Sequence, residues 1–131
     1  MNLVLVGLSH KTAPVNIREK LHFPEPQLPE ALELLRTRYD AQEGMILSTC
    51  NRVEVLAQTS DSPEGVRQLT DFICNFHKVP YDTLHQFLYD FTQIDVVRHV
   101  FRVAASLDSM VLGEPQILGQ VKTAFTTAQN A

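Results

Sequence analysis

An α+β domain built on a mainly antiparallel four-stranded sheet is predicted, on two observations. The chain has 131 residues, 44% of them hydrophobic, which suits one core better than two. Along it, short apolar runs alternate with helical periodicity in the order strand, helix, strand, strand, helix, strand and two further helices.

Leu3, Val4, Leu5, Val6 and Leu8, with Gly7 among them, make a nearly unbroken apolar run that predicts a central strand buried on both faces. Residues 15–23 carry Val15, Ile17, Leu21 and Phe23 without one firm period and predict a short helix, with Thr12 as its cap and Pro14 near its first turn. Pro24, Pro26 and Pro29 punctuate a connection after it. Leu28, Ala31, Leu32, Leu35 and Tyr39 then recur at spacings of three and four, which predicts an amphipathic helix over 30–39. Met45, Ile46 and Leu47 form a second strand and residues 53–57 a third, joined at the polar corner Ser48, Thr49, Cys50, Asn51 and Arg52. Val66, Leu69, Ile73 and Phe76 stripe a helix up to His77, and Pro80 stops it. A fourth strand over 87–91, a helix over 93–107 and a last helix over 116–131 complete the order, that of a ferredoxin-like split βαβ core with added helices. The last helix reaches Ala131 without a Gly or Asn cap, so a fragment of a longer protein is expected.

Charge and cysteine count narrow the function classes. With 11 Lys plus Arg against 15 Asp plus Glu, the net charge is −4, too little cation for a stand-alone nucleic-acid module. No signal peptide or membrane span fits the start, where Ser9, His10 and Lys11 break the apolar run, and a cytoplasmic location is expected. The five glycines, Gly7, Gly44, Gly65, Gly113 and Gly119, form neither GxGxxG nor GxxxxGK[ST], so a nucleotide cofactor would be held elsewhere.

Of the two cysteines, Cys50 carries the chemical interest. At a strand corner its sulfur can be exposed while the backbone is held, as a nucleophile requires, and Arg52 places a cation nearby. The competing reading is a small buried apolar residue. Cys74, on a helix beside Ile73, reads as packing, and Cys74, His77 and His85 lack the second close pair a metal site needs. On a helical projection Ile94, Val97, Val100, Phe101 and Ala104 share an apolar arc with His99 nearly opposite, beside Asp95, Arg102 and Ser106. His99 then lies on a solvated face or faces a site. The polar stretch from Asp108, opening a helix at Pro115, reads as a loop able to aim Ser109, Glu114 and Gln116 at a ligand, or as an ordinary helix start.

Three segments, Gly7 to Pro14, Ser48 to Glu54 and Ala104 to Gln120, resemble in order the catalytic N-terminal domain of glutamyl-tRNA reductases. The resemblance implies that residues 1–131 are one catalytic, glutamyl-binding domain, without the NADPH-binding and dimerisation domains of that family. It implies the reduction of glutamyl-tRNA to glutamate-1-semialdehyde, the first step of the five-carbon route to 5-aminolevulinate and tetrapyrroles. Cys50 then matches the nucleophile that forms a thioester, and His99 a position needed for activity. Arg52 would grip the glutamate carboxylate, with Thr49, Asn51, Ser109, Glu114, Pro115, Gln116 and Gln120 completing the pocket. NADPH would bind to a domain outside this chain, and no metal is implied. The family dimerises through a missing domain, so a monomer is expected, with possible handover of product to glutamate-1-semialdehyde aminomutase. A partner-docking module and a self-contained thiol hydrolase are the competing functional classes.

Overall fold

A computed structural model of the chain describes residues 2–39 and 41–111, with side chains described through residue 104. Four strands, β1 (Asn2–Ser9), β2 (Glu43–Ser48), β3 (Arg52–Thr59) and β4 (Tyr89–Thr92), form one sheet in the order β2-β3-β1-β4. Every neighbouring pair is antiparallel, from Gly7 opposite both Glu54 and Tyr89 to Leu47 opposite Glu54. That order, with helical crossovers from β1 to β2 and from β3 to β4, is the split βαβ arrangement expected from the sequence, with β1 central.

Side chains alternate across the sheet, so the two faces carry different chemistry. Val4, Val6 and Leu8 of β1 and Val53, Val55 and Ala57 of β3 join one core with Ala31, Leu32 and Leu35 of α2 (Leu28–Arg38) and Leu69, Phe72 and Ile73 of α3 (Ser62–His77). The apolar stripes of both helices therefore cover this first face as their periodicity predicts. Asp61 caps α3 by accepting from the Glu64 amide at 3.1 Å. Ile17 and Leu21 of α1 (Val15–Leu21) close the end of the core near the β2–β3 corner. On the opposite face α5 (Ile94–Val111) packs against β4 and β1.

Four local expectations need correction. Thr12 does not cap α1: Pro14 holds that position, while the Thr12 hydroxyl accepts from the Ser9 amide at 3.0 Å and closes the preceding turn. α3 ends at His77 as expected, with Lys78, left-handed at φ 57°, as its C-cap two residues before Pro80. The fourth strand begins at Tyr89 because residues 85–87 form a 3-10 turn, preceded by the short α4 (Tyr81–Leu84). The helix expected over 93–107 continues to Val111, so the stretch from Asp108 starts as helix rather than loop.

The fourth correction concerns the face of α5 that meets the sheet. Val96, His99 and Val103 are buried, whereas Phe101 is 70% exposed, Ile94 58% and Val100 37%, opposite to the projected apolar arc. Spacings of three and four still place the buried set on one stripe. No helix of the described residues is long and apolar enough to cross a membrane.

Candidate functional site

Cys50 stands in the three-residue corner between β2 and β3, where the backbone is held and the side chain is exposed. The Thr49 amide donates to the Arg52 carbonyl at 2.8 Å, and the buried Thr49 hydroxyl accepts from the amides of Asn51 (3.1 Å) and Arg52 (3.2 Å). A hydroxyl that takes two amides in this way closes a tight turn without glycine. Two ties arrive from other elements: the His10 amide donates to the Asn51 carbonyl at 2.7 Å, and Arg18 Nη1 of α1 donates to the Cys50 carbonyl at 2.8 Å. The buried-cysteine reading of Cys50 therefore fails. Cys74 is the buried thiol, pushed up in pKa by burial and then by the charge of Asp71.

That difference predicts selective chemistry. Brief treatment of the native chain with a maleimide should add one label, on Cys50, and the second should appear only in denaturant, as peptide mass mapping would show. Prompt labelling of Cys74 in the native chain would contradict the burial described.

The second part of the site lies on the sheet face that α5 covers. β3 presents Arg52 and Glu54 there, since its alternate residues Val53 and Val55 enter the core. Glu54 is 4% exposed and one oxygen, Oε2, serves three partners. The Tyr89 hydroxyl donates to it at 2.5 Å, His99 Nε2 meets it, and Arg52 Nη1 lies 3.5 Å away. The His99 ring stacks on Phe91 with centroids 4.6 Å apart and lies 5.6 Å from Tyr89. Burial, followed by the charge of Glu54, raises the Tyr89 hydroxyl far above the usual phenol range, which keeps it a donor. A cleft of about 210 Å³ opens beside this cluster, lined by Lys11, Arg52 and Arg102 together with Tyr89, Phe91 and His99. Three cations against one inward carboxylate suit an anionic ligand.

His99 is thus neither solvated nor packed among aliphatics: it is a buried histidine held by a carboxylate at the edge of a cationic cleft. Arg52 links the two parts, lining the cleft two residues after Cys50. Thr49 and Asn51 belong to the corner, where the Thr49 hydroxyl is engaged by the turn. Ser109 falls within α5, but its side chain is outside the described residues, as are Glu114, Pro115, Gln116 and Gln120. Sequence reasoning missed Glu54, Tyr89 and Arg18. The alternation of β3 carried the signal for Glu54, a charged residue between two core valines on the strand that leaves the cysteine corner.

Gly7 makes room for Glu54. A methyl on Gly7 would come within 2.5 Å of the Val53 carbonyl oxygen and 2.8 Å of Glu54 Cγ, and the first of these atoms is backbone that cannot swing aside. Gly7→Ala should therefore lower stability by about 1–3 kcal/mol, the usual range for overpacking, read as a lower urea midpoint. An unchanged midpoint would mean that β1 and β3 can separate there without loss.

Residues 6–131 match the family described as glutamyl-tRNAGlu reductase, N-terminal domain. The glutamyl-tRNA reductase of Geobacter sulfurreducens is 54% identical over 125 residues, 95% of this chain and 29% of that protein. That of Pelobacter propionicus is 50% identical over the same length and shares. Among solved structures, glutamyl-tRNA reductase from Methanopyrus kandleri superposes with a TM-score of 0.68 at 34% identity, covering 98% of this chain and 28% of that one. The chain spans less than a third of the length of these relatives.

Proposed function

The chain belongs to the glutamyl-tRNA reductase N-terminal domain family, and from that premise we propose that it performs the acyl-transfer half of the activity its relatives are named for. In this reading the Cys50 thiolate attacks the ester carbonyl of glutamyl-tRNA. The carbon–oxygen bond to the terminal ribose breaks, the ribose hydroxyl takes up a proton, and the glutamyl group stays on sulfur as a thioester. A thioester carbonyl accepts hydride more readily than a free carboxylate does. NADPH is the reductant in this proposal, and the product is glutamate-1-semialdehyde for tetrapyrrole synthesis.

The dinucleotide does not fit the described residues. Gly7 is enclosed in the central strand, Gly44 lies in β2 against Leu35, and Gly65 lies within α3 against Thr59, so none opens a phosphate-cradling turn before a helix. Hydride transfer is accordingly not assigned to them.

Arg52 carries the substrate specificity in this proposal. It lines the cleft together with Lys11 and Arg102, where it would pair with the glutamyl side-chain carboxylate. Glu54 holds that guanidinium and His99 together, so His99 would orient the bound acyl group or carry its proton. Thr49 and Asn51 keep the corner rigid, and Ser109, Glu114, Pro115, Gln116 and Gln120 would complete the pocket.

The observation that carries this reading is an exposed thiol on a pinned corner, two residues from an arginine that lines a cationic cleft. Intact-mass spectrometry after brief incubation with glutamyl-tRNA and acid quench tests it. A hydroxylamine-labile glutamyl adduct on Cys50, with release of tRNA, is expected. No adduct and no release would instead favour a docking module.

A further inference from the structure

The peptide plane between Cys50 and Asn51 is clamped at both of its polar atoms. Its N–H donates to the Thr49 hydroxyl at 3.1 Å, and its carbonyl accepts from Arg18 Nη1 at 2.8 Å. Because a peptide unit is rigid, holding both atoms fixes ψ of Cys50 and thereby the backbone from which the thiol projects. Thr49 is a neighbour in the chain, whereas Arg18 reaches across from another element 32 residues away.

α1 is a firm base for that reach. Ile17 and Leu21 bury its inner side in the core. At its far end the Phe23 amide donates to the Ser48 hydroxyl at 2.9 Å, and Ser48 Oγ lies 2.8 Å from His22 Nδ1, which ties the exit of α1 to the last residue of β2. His77 Nε2, 3.2 Å from the His22 carbonyl, joins the same end to α3. Arg18 therefore presents its guanidinium from an element anchored to both strand and helix.

Arg18 carries a cost at this contact. Its Nε is buried with no hydrogen-bond partner among the described residues, a cost that a neutral side chain reaching the same carbonyl would avoid. We propose that Arg18 is a positioning residue for acyl transfer, holding the Cys50–Asn51 peptide so that the thiol meets the ester carbonyl in the reactive orientation. This rests on the reading of Cys50 as the nucleophile.

The test compares Arg18→Gln and Arg18→Lys with the unsubstituted full chain. Single-turnover acylation of Cys50 is followed over a range of glutamyl-tRNA concentrations, and amide hydrogen exchange is measured across residues 49–52. Arg18→Gln should lower the saturating rate by about tenfold to 100-fold, the scale of an ångström-sized misplacement, with the half-saturating concentration changed less than twofold. Arg18→Lys, which keeps the charge and one donor, should recover part of that rate. Amides of the corner should exchange faster in Arg18→Gln while those of α2 and α3 do not change.

A saturating rate that does not fall, corner amides as protected as before, or a loss confined to the half-saturating concentration would each overturn the proposal; the last would make Arg18 a substrate contact. Should glutamine unfold the chain, Arg18→Lys decides, because an unchanged saturating rate in it is equally fatal. Failure of the underlying reading shows differently, as the absence of any Cys50 adduct on the unsubstituted chain.

Discussion

Serine in place of Cys50 should slow glutamyl transfer at least about a thousandfold, in line with losses on removing a lone nucleophile. The substitution is nearly isosteric and the side chain is exposed, so folding stability should stay within about 0.5 kcal/mol of the original. What changes is the chemistry of the attacking atom. A thiol gives its anion at accessible pH, whereas an alcohol needs a base poised to take its proton. Among the described residues no side chain hydrogen-bonds the Cys50 sulfur: the Thr49 hydroxyl already accepts two amides, and Arg18 and Arg52 carry guanidiniums. His99, the one imidazole lining the cleft among the described residues, has its Nε2 engaged with Glu54. Release of tRNA and the hydroxylamine-labile adduct should therefore vanish together in Cys50→Ser while the urea midpoint stays put. Release at the original rate would remove Cys50 from the mechanism and return attention to the hydrolase or docking readings.

The first face of the sheet could be read from the chain because it is built from one kind of interaction. Val4, Val6 and Leu8 alternate in β1, Ala31, Leu32 and Leu35 recur in α2, and each pattern has an apolar partner of the matching period. The cysteine corner was legible for a related reason, since a polar break between two apolar runs has few solutions other than a tight hairpin. The second face obeys other rules. There α5 meets Tyr89, Phe91 and Glu54 through His99, a partly polar surface, and buries Val96, His99 and Val103. An apolar projection of α5 assumes an apolar partner and so chooses Ile94, Val100 and Phe101, which are exposed among the described residues. On that face His99 meets Glu54, 45 residues away, and no local window contains both. Arg18 escaped notice for the same reason, as its partner is a backbone carbonyl 32 residues away.

If that pairing sets the second face, removing Glu54 should be the most costly side-chain truncation in the site. Glu54→Ala is expected to lower folding stability by about 3–5 kcal/mol, the usual consequence of deleting one partner of a buried charged cluster. The side chain is 5% exposed and that of Arg52 only 14%, so neither is well hydrated without the other. Three groups lose their acceptor at once. The Tyr89 hydroxyl cannot escape by ionising, because burial already disfavours its anion; it keeps Ser9 as a hydrogen-bond neighbour but loses the carboxylate, and a buried donor deprived of its acceptor costs about 1–3 kcal/mol. His99 loses the oxygen that sets its ring orientation over Phe91. Arg52 loses the charge that faces it in the cleft. Tyr89→Phe alone removes one donor and leaves Glu54 with His99 and Arg52, so it should cost only about 1 kcal/mol. The double variant should be more stable than the sum of the two losses allows, because phenylalanine no longer brings the hydroxyl that Glu54→Ala strands. Urea unfolding of the four proteins measures that coupling. Strict additivity, or a Glu54→Ala loss below about 1 kcal/mol, would mean that water satisfies the cluster and that His99 is held by its stacking on Phe91 instead.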